Sequence, residues 1–83
     1  MDRYLKSDRP AFYHIEVQGE LRSTWSDYLG GLNISVNYEQ GTPCTIMEGE
    51  LQDQAALIGV IDSLYNLGLP LLMVVYQPTS IEF

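Results

Sequence analysis

One long segment of helical spacing constrains the fold of this chain more than any other feature. Asp53 is a good N-cap residue for it, and Gly68 followed by Pro70 provides the stop. Between these signals the apolar side chains recur every three or four residues: Leu57, Val60, Ile61, Leu64 and Leu67. The spacing predicts one helix over residues 54–67, so any sheet in this protein has a single long helix to cover it.

The remaining apolar residues follow strand patterns. Residues 12–21 and 32–38 alternate between apolar and polar positions, which is typical of strands buried on one side. Residues 44–51 predict a third strand whose sidedness is ambiguous, because Ile46 and Met47 point in opposite directions. Residues 71–76 are apolar at every position, whereas a strand with one face in water would alternate.

The connection between the first two strands decides the topology. Residues 22–31 hold one turn of helix, which carries Trp25 and Tyr28 and ends at Gly30 and Gly31. We therefore predict an α+β fold of order β-β-β-α-β: a four-stranded sheet with one helix packed on one face. Because ten residues are barely enough for a crossover helix, an antiparallel meander of the first three strands is favoured. The alternative is a ferredoxin-like βαββαβ fold with a truncated first helix.

Length and composition predict one small domain. Residues 1–10 are polar and aperiodic, so we expect a flexible N-terminal arm followed by a single domain over residues 11–83. A chain of 83 residues buries a modest share of its surface, which makes tight packing or oligomerisation important for its stability. One cysteine cannot form an internal disulfide, and one cysteine with one histidine cannot complete a four-ligand zinc site. No metal or other cofactor is expected.

The charge distribution argues against nucleic acid and membrane partners. The formal net charge is −7, and three of the four basic residues (Arg3, Lys6 and Arg9) precede the predicted domain. Such a domain would repel phosphate and anionic lipid. The longest apolar stretch, residues 67–76, is too short to cross a bilayer, and the N-terminus has no signal-peptide pattern. We expect an acidic cytoplasmic protein.

The residues that could carry chemistry have simpler structural explanations. His14 and Glu16 share the polar face of the first strand, where most such pairs are exposed sheet surface. Cys44 has no basic neighbour or helix N-terminus that would lower its pKa. The Gly30-Gly31 pair lacks the lysine and further glycines of a phosphate loop. We therefore expect no catalytic residue and no enzymatic activity.

Excess apolar surface favours association instead. The apolar arc of the predicted helix spans about 200°, wider than one sheet requires, and leaves Ile58 and Tyr65 on its flank. The expected function is that of a homo-oligomer, most simply a dimer, that presents a surface to another protein. The alternative is a small-molecule-sensing regulatory module with its ligand at the sheet–helix edge or the dimer seam. The candidate interface residues are Trp25, Tyr28, Ile58, Tyr65, Leu72, Val74 and Tyr76.

Several short segments resemble a family of small bacterial proteins of unknown function. The most specific are DQAAL (residues 53–57) and LGLPLL (residues 67–72), and the WSD segment at residues 25–27 accompanies them. The resemblance covers about residues 12–76 and implies a shared fold without an established activity. The chain departs from the family pattern at Ile58, where relatives often carry histidine, so a histidine-based role for that helix would be absent.

Overall fold

The computed structural model describes residues 10–38 and 41–78. The elements, in chain order, are β1 (Ala11–Gln18), a 3-10 helix (Ser23–Leu29), β2 (Asn33–Asn37), β3 (Cys44–Leu51), α1 (Gln54–Asn66) and β4 (Leu71–Pro78). The predicted arm, residues 1–10, lies outside the described residues except for Pro10, as do the last five residues of the predicted domain.

The four strands form one antiparallel sheet in the order β2-β3-β1-β4. The predicted α+β class, with a short helical turn after the first strand and one helix before the last, is confirmed. The central strands are β1 and β3, and the two edges are β2 and β4. The sheet therefore ends on one side in the alternating strand and on the other in the uniformly apolar one.

The meander favoured from the sequence is wrong, because β1 pairs with β3 and not with β2. The connection between β1 and β2 spans a greater distance than the one predicted turn of helix would. Its 3-10 helix has seven residues and rises about 2 Å per residue. It can therefore pass over one intervening strand, since neighbouring strands are about 4.8 Å apart. The result is the split arrangement of the ferredoxin-like alternative, with a 3-10 helix where a full helix would lie.

One apolar core lies between the sheet and the helices. Along β1 the inward residues Tyr13, Ile15 and Val17 are buried, as their alternation predicts. The ambiguous strand β3 turns Thr45 and Met47 inward. Ile46 therefore points to the opposite face of the sheet, the one away from the core, which we call the open face. The helix α1 buries Val60 and Leu64 and half-buries Leu57. Of the apolar series predicted from helical spacing, Val60 and Leu64 are thus buried, whereas Leu67 follows the helix and is 38% exposed.

The ends of α1 follow the capping signals in the sequence. The Asp53 carboxylate accepts a hydrogen bond from the Ala56 N–H at 2.9 Å, which satisfies a donor that the first turn leaves without a helical partner. At the other end Gly68 has φ = 79°, a left-handed conformation that few other residues adopt easily. These two residues set the length of the helix and hence how much of the sheet it covers.

A buried threonine holds the crossover in place. The Thr45 hydroxyl donates to the Gly19 carbonyl at 2.6 Å and accepts from the Leu21 N–H at 3.0 Å. Gly19 has φ = 111°, and a Cβ at this position would lie 2.9 Å from a Leu69 methyl carbon. Gly19 therefore approaches Leu69 closely, and this contact ties the end of β1 to the segment that leads into β4.

Candidate interaction surface

The strand β4 is the most exposed apolar element of the described chain. All six residues from Leu71 to Tyr76 are between 37% and 54% exposed. Its inner side pairs with β1, and within residues 10–38 and 41–78 no strand pairs with its outer side. A strand in this position presents both apolar side chains and a row of backbone donors and acceptors.

The pairing register divides the β4 side chains between the two faces of the sheet. Directly opposite residues share a face, so Val74 and Tyr76 lie on the side of the core, across from Ile15 and Tyr13. The Tyr13 and Tyr76 rings are 5.5 Å apart between centroids and tilted by 53°. Burial raises the pKa of the Tyr13 hydroxyl, and the charge of Tyr76 raises it further. Tyr76 thus covers one side of Tyr13 while itself remaining 46% exposed.

The outer flank of α1 continues this surface. Ile58 and Tyr65 are 61% and 77% exposed, as the width of the apolar arc predicts. A cleft of about 220 Å³ joins this flank to the start of β4, and its lining residues are Ile61, Leu64, Tyr65, Leu69, Pro70 and Leu71. We call the combination of residues 71–76 with Ile58 and Tyr65 the apolar edge.

Trp25 and Tyr28 lie elsewhere, on the 3-10 helix. Their rings stack with centroids 5.3 Å apart and an interplanar angle of 29°. They line a second cleft, of about 370 Å³, with Ser63, Asn66 and Leu67 of the α1 C-terminal end. At 100° per residue, Ser63 and Asn66 are on the opposite flank of α1 from Tyr65. The predicted interface residues therefore form two separate surfaces.

Leu72 is set apart from the other predicted residues of β4. A register shift between Glu16 and Val17 interrupts the regular pairing next to it. Leu72 lines a cleft on the open face of the sheet, of about 340 Å³, together with Glu16, Gln18, Thr42, Pro43 and Cys44. The apolar edge therefore wraps around β4 onto both faces of the sheet.

The open face also carries a histidine held by two carboxylates. His14 Nε2 lies 2.7 Å from Glu16 Oε2, and His14 Nδ1 lies 2.7 Å from Glu48 Oε2. These hydrogen bonds, that to Glu16 first, raise the pKa of His14 above its usual value, while burial acts in the opposite direction. An imidazolium can donate from both nitrogens at once, which matches this geometry. In this arrangement neither ring nitrogen is open to take a proton from a substrate.

Cys44 lies beside this cluster as a half-buried free thiol. Its Sγ is 3.7 Å from Glu16 Oε1. Burial raises the pKa of the thiol, and the negative charge of Glu16 and the hydrogen bond to it act in the same direction. The thiolate, which is the nucleophilic form, is therefore disfavoured. No group of three or more metal-ligating side chains occurs among the described residues.

Sequence reasoning missed part of this surface. Phe12, Met73 and Val75 are each more than 40% exposed but were not among the predicted interface residues. Phe12 occupies the polar face of β1 in the alternating pattern, a signal that could have identified it. The contact between His14 and Glu48 joins residues 34 positions apart, and no local pattern could have revealed it.

Fold and surface together define a small two-layer α+β domain with one helix on one face of the sheet and an apolar edge strand. The chain belongs to the DUF8691 family, a domain of unknown function that matches residues 12–75. No curated protein and no solved structure gives a significant match to the chain. No helix within the described residues is long and apolar enough to cross a membrane.

Proposed function

We propose that this protein is a non-enzymatic interaction protein that associates with itself, most simply as a dimer, and presents a second surface to another protein. The observation that carries the proposal is the apolar edge. Soluble monomers rarely expose contiguous apolar patches of more than a few hundred Å². The exposed fractions of residues 71–76 correspond to roughly 500 Å² on β4 alone, in the upper part of the roughly 300–600 Å² of the largest patch on a typical monomer, a patch that is often functional.

The area of the apolar edge suits a stable dimer. Ile58 and Tyr65 are more exposed than any residue of β4, and with them the apolar edge approaches the roughly 800 Å² per partner of a standard protein–protein interface. A two-fold axis would bring the same residues of two copies together, so one patch would serve as both halves of the interface. A second copy of the chain can therefore cover the apolar edge.

The charge of the protein favours the same surface. Two copies with a formal net charge of −7 repel each other over most of their surface. No charged residue occurs between Leu71 and Pro78, so two copies can approach along β4 without bringing like charges on that strand together. Asp62 lies between Ile58 and Tyr65 in the sequence and is exposed on α1, so its charge would oppose a close contact between two α1 helices at this point.

The surface presented to another protein is the stacked pair of Trp25 and Tyr28. Tyr28 is 77% exposed, and the pair lies on the flank of α1 opposite to the apolar edge. Self-association through β4 would leave it accessible. Tryptophan and tyrosine are enriched among the residues that contribute most to protein–protein binding, because they supply large apolar area with a polar group at its rim.

The alternative function, a small-molecule-sensing module, has a specific location in the structure. The cleft between α1 and the start of β4 lies at the sheet–helix edge, but its volume of about 220 Å³ is below the usual range for ligand pockets of about 300–1,000 Å³. Among its lining side chains only Tyr65 carries a polar atom. Ligand sites combine apolar walls with several convergent polar groups, so this cleft favours the interaction function.

Sedimentation equilibrium at micromolar concentration tests the proposal. We expect the mass of a dimer for the full chain and weakened association for the Ile58→Asp and Tyr65→Asp variants, since each places a charge in the interface. Asp27→Asn, on the 3-10 helix, is the control, because it changes an exposed charge away from the apolar edge. A monomer mass for the full chain at all concentrations would contradict the proposed function.

A further inference from the structure

We infer that two copies join by pairing their β4 strands antiparallel to each other, which makes one continuous eight-stranded sheet. This inference rests on the proposed function, because it specifies how the apolar edge is used. In this arrangement the second copy of the chain occupies the outer side of β4, and backbone hydrogen bonds are the principal contact.

The backbone of β4 is suited to further pairing. From Met73 to Gln77 its register with β1 is regular, and the one register shift lies at the start of the strand. A bulge twists an edge away from a partner, so its position leaves the rest of β4 straight. In an antiparallel strand alternate residues direct their N–H and C=O groups to each side. A regular outer side is therefore a template for another antiparallel strand.

Edge strands in soluble proteins carry features that prevent such pairing, and β4 has few of them. The usual features are short length, charged side chains, proline and bulges. β4 has eight residues and no charge, and its proline is at the last position. The other edge, β2, is also uncharged, but it is shorter, with five residues, and turns the polar residues Asn33, Ser35 and Asn37 to solvent. The difference indicates that one edge is adapted to water and the other to a partner.

Pairing with an identical strand also accounts for the exposed helix flank. A two-fold axis perpendicular to the sheet keeps both α1 helices on the same side of the joined sheet. Tyr65, on the same flank of α1 as Ile58, shares a cleft with Leu71 at the start of β4, so in both copies this flank would be turned toward the seam. Val74 and Tyr76, which lie on that side of β4, would occupy the floor between the two helices. One symmetry operation therefore covers two separate exposed features.

Amide hydrogen exchange measured by NMR on the full chain tests the pairing, with β2 as the internal reference. We expect alternate amides from Asn33 to Val36 of β2 to exchange rapidly, because no strand among the described residues pairs with the outer side of β2. In β4 we expect every amide from Met73 to Gln77 to be protected. At a total protein concentration of 100 times the dimer Kd about 7% of the chains are monomeric, so the outward amides of β4 should exchange about 15-fold more slowly than those of β2. This excess protection should fall on dilution.

The outcomes separate the pairing from the proposed function. A dimer by sedimentation in which alternate β4 amides exchange as rapidly as those of β2 would overturn the pairing and leave self-association intact. A monomer would overturn both. Protection of β4 that does not change on dilution, with native mass spectrometry showing a second and different polypeptide, would also overturn the pairing, since it identifies a foreign strand as the occupant.

Discussion

The two edges of the sheet, β2 and β4, occupy equivalent positions and differ in almost every other respect. β2 alternates between half-buried Ile34 and Val36 and exposed polar residues. β4 is apolar on both faces and exposed on both. The 3-10 helix and α1 lie over the half of the sheet that includes β2 and β3, whereas every side chain from Leu71 to Tyr76 stays exposed.

This difference shows that placement at an edge does not by itself determine whether a strand faces water. Hydrophobic burial near β2 is completed within one chain, by the 3-10 helix that replaces a full first helix. Near β4 the residues that the structure describes do not complete it, and in the proposed dimer an intermolecular contact covers the apolar side chains. At about 25 cal/mol per Å², burial of such a patch contributes several kcal/mol before association entropy is subtracted.

The largest expected effect comes from testing the orientation of α1, on which the contrast between the edges depends. Leu64 is 1% exposed and Ile58 is 61% exposed. Leu64→Ala should therefore lower the free energy of unfolding by about 2–5 kcal/mol, since it removes buried methylene groups and leaves a cavity. Ile58→Ala, the control on the same helix, should change it by less than about 0.5 kcal/mol. Urea unfolding at a concentration where the chain is monomeric measures both, and equal losses would mean that α1 is turned differently.

A lysine placed on each edge compares the two strands directly. Val75 on β4 and Ser35 on β2 are both exposed on the open face. Val75→Lys should weaken self-association by about 10–100-fold, equivalent to about 1.4–2.8 kcal/mol, because it places like charges in an apolar interface. Ser35→Lys should leave the association constant unchanged within error.

Analytical ultracentrifugation over a concentration series measures both constants, and circular dichroism checks that each variant is folded. If Ser35→Lys weakened association as much as Val75→Lys, the distinction between the two edges would be lost.

The start of β2 can be probed with two neighbouring glycines. Gly30 and Gly31 have nearly the same backbone conformation, with φ of 72° and 77°. A Cβ on Gly30 would lie 2.6 Å from a Leu51 methyl carbon, whereas a Cβ on Gly31 would meet nothing within 4 Å. Each alanine substitution should cost about 1–2 kcal/mol for the left-handed conformation. Gly30→Ala should cost more, because its Cβ also displaces a core leucine.

Thermal and urea unfolding of the two variants gives the difference. Equal destabilisation would indicate that Leu51 moves aside without loss of packing, and that the connection to β2 is less tightly held than the structure shows.

The smallest expected effect concerns the open face between the two edges. The pKa of His14 is raised by Glu16 and Glu48, so the charged form is favoured in the folded state. Its contribution to stability is therefore fully present below the unfolded pKa of about 6.5 and is lost as pH rises through the folded pKa. As the chain has one histidine, its NMR signal is unambiguous.

A pH titration should give a His14 pKa above the unfolded value, and Glu48→Gln should lower it partway. Glu50→Gln is the matched control, because Glu50 lies on the same strand but pairs opposite Phe12. A His14 pKa at or below its unfolded value would show that the two carboxylates do not hold the ring in solution.

Most local features of this fold could be predicted from the sequence. Helical spacing correctly assigned Val60 and Leu64 to the core and Ile58 and Tyr65 to the exposed flank. Asp53 marked the helix start, and alternation gave the sidedness of β1. These predictions hold because they depend on the period of the helix or strand and on backbone groups within a few residues of the signal.

The strand order, the edge position of β4 and the His14–Glu48 contact could not be predicted in this way. Each depends on which distant segments pair, and the residues concerned are tens of positions apart. The pairing of β1 with β3 rather than β2 is possible because a seven-residue 3-10 helix is long enough to cross one strand. The sequence shows that residues 71–76 are too apolar for a strand with one face in water. Only the packed sheet places them at an edge, where a partner rather than the core can cover them.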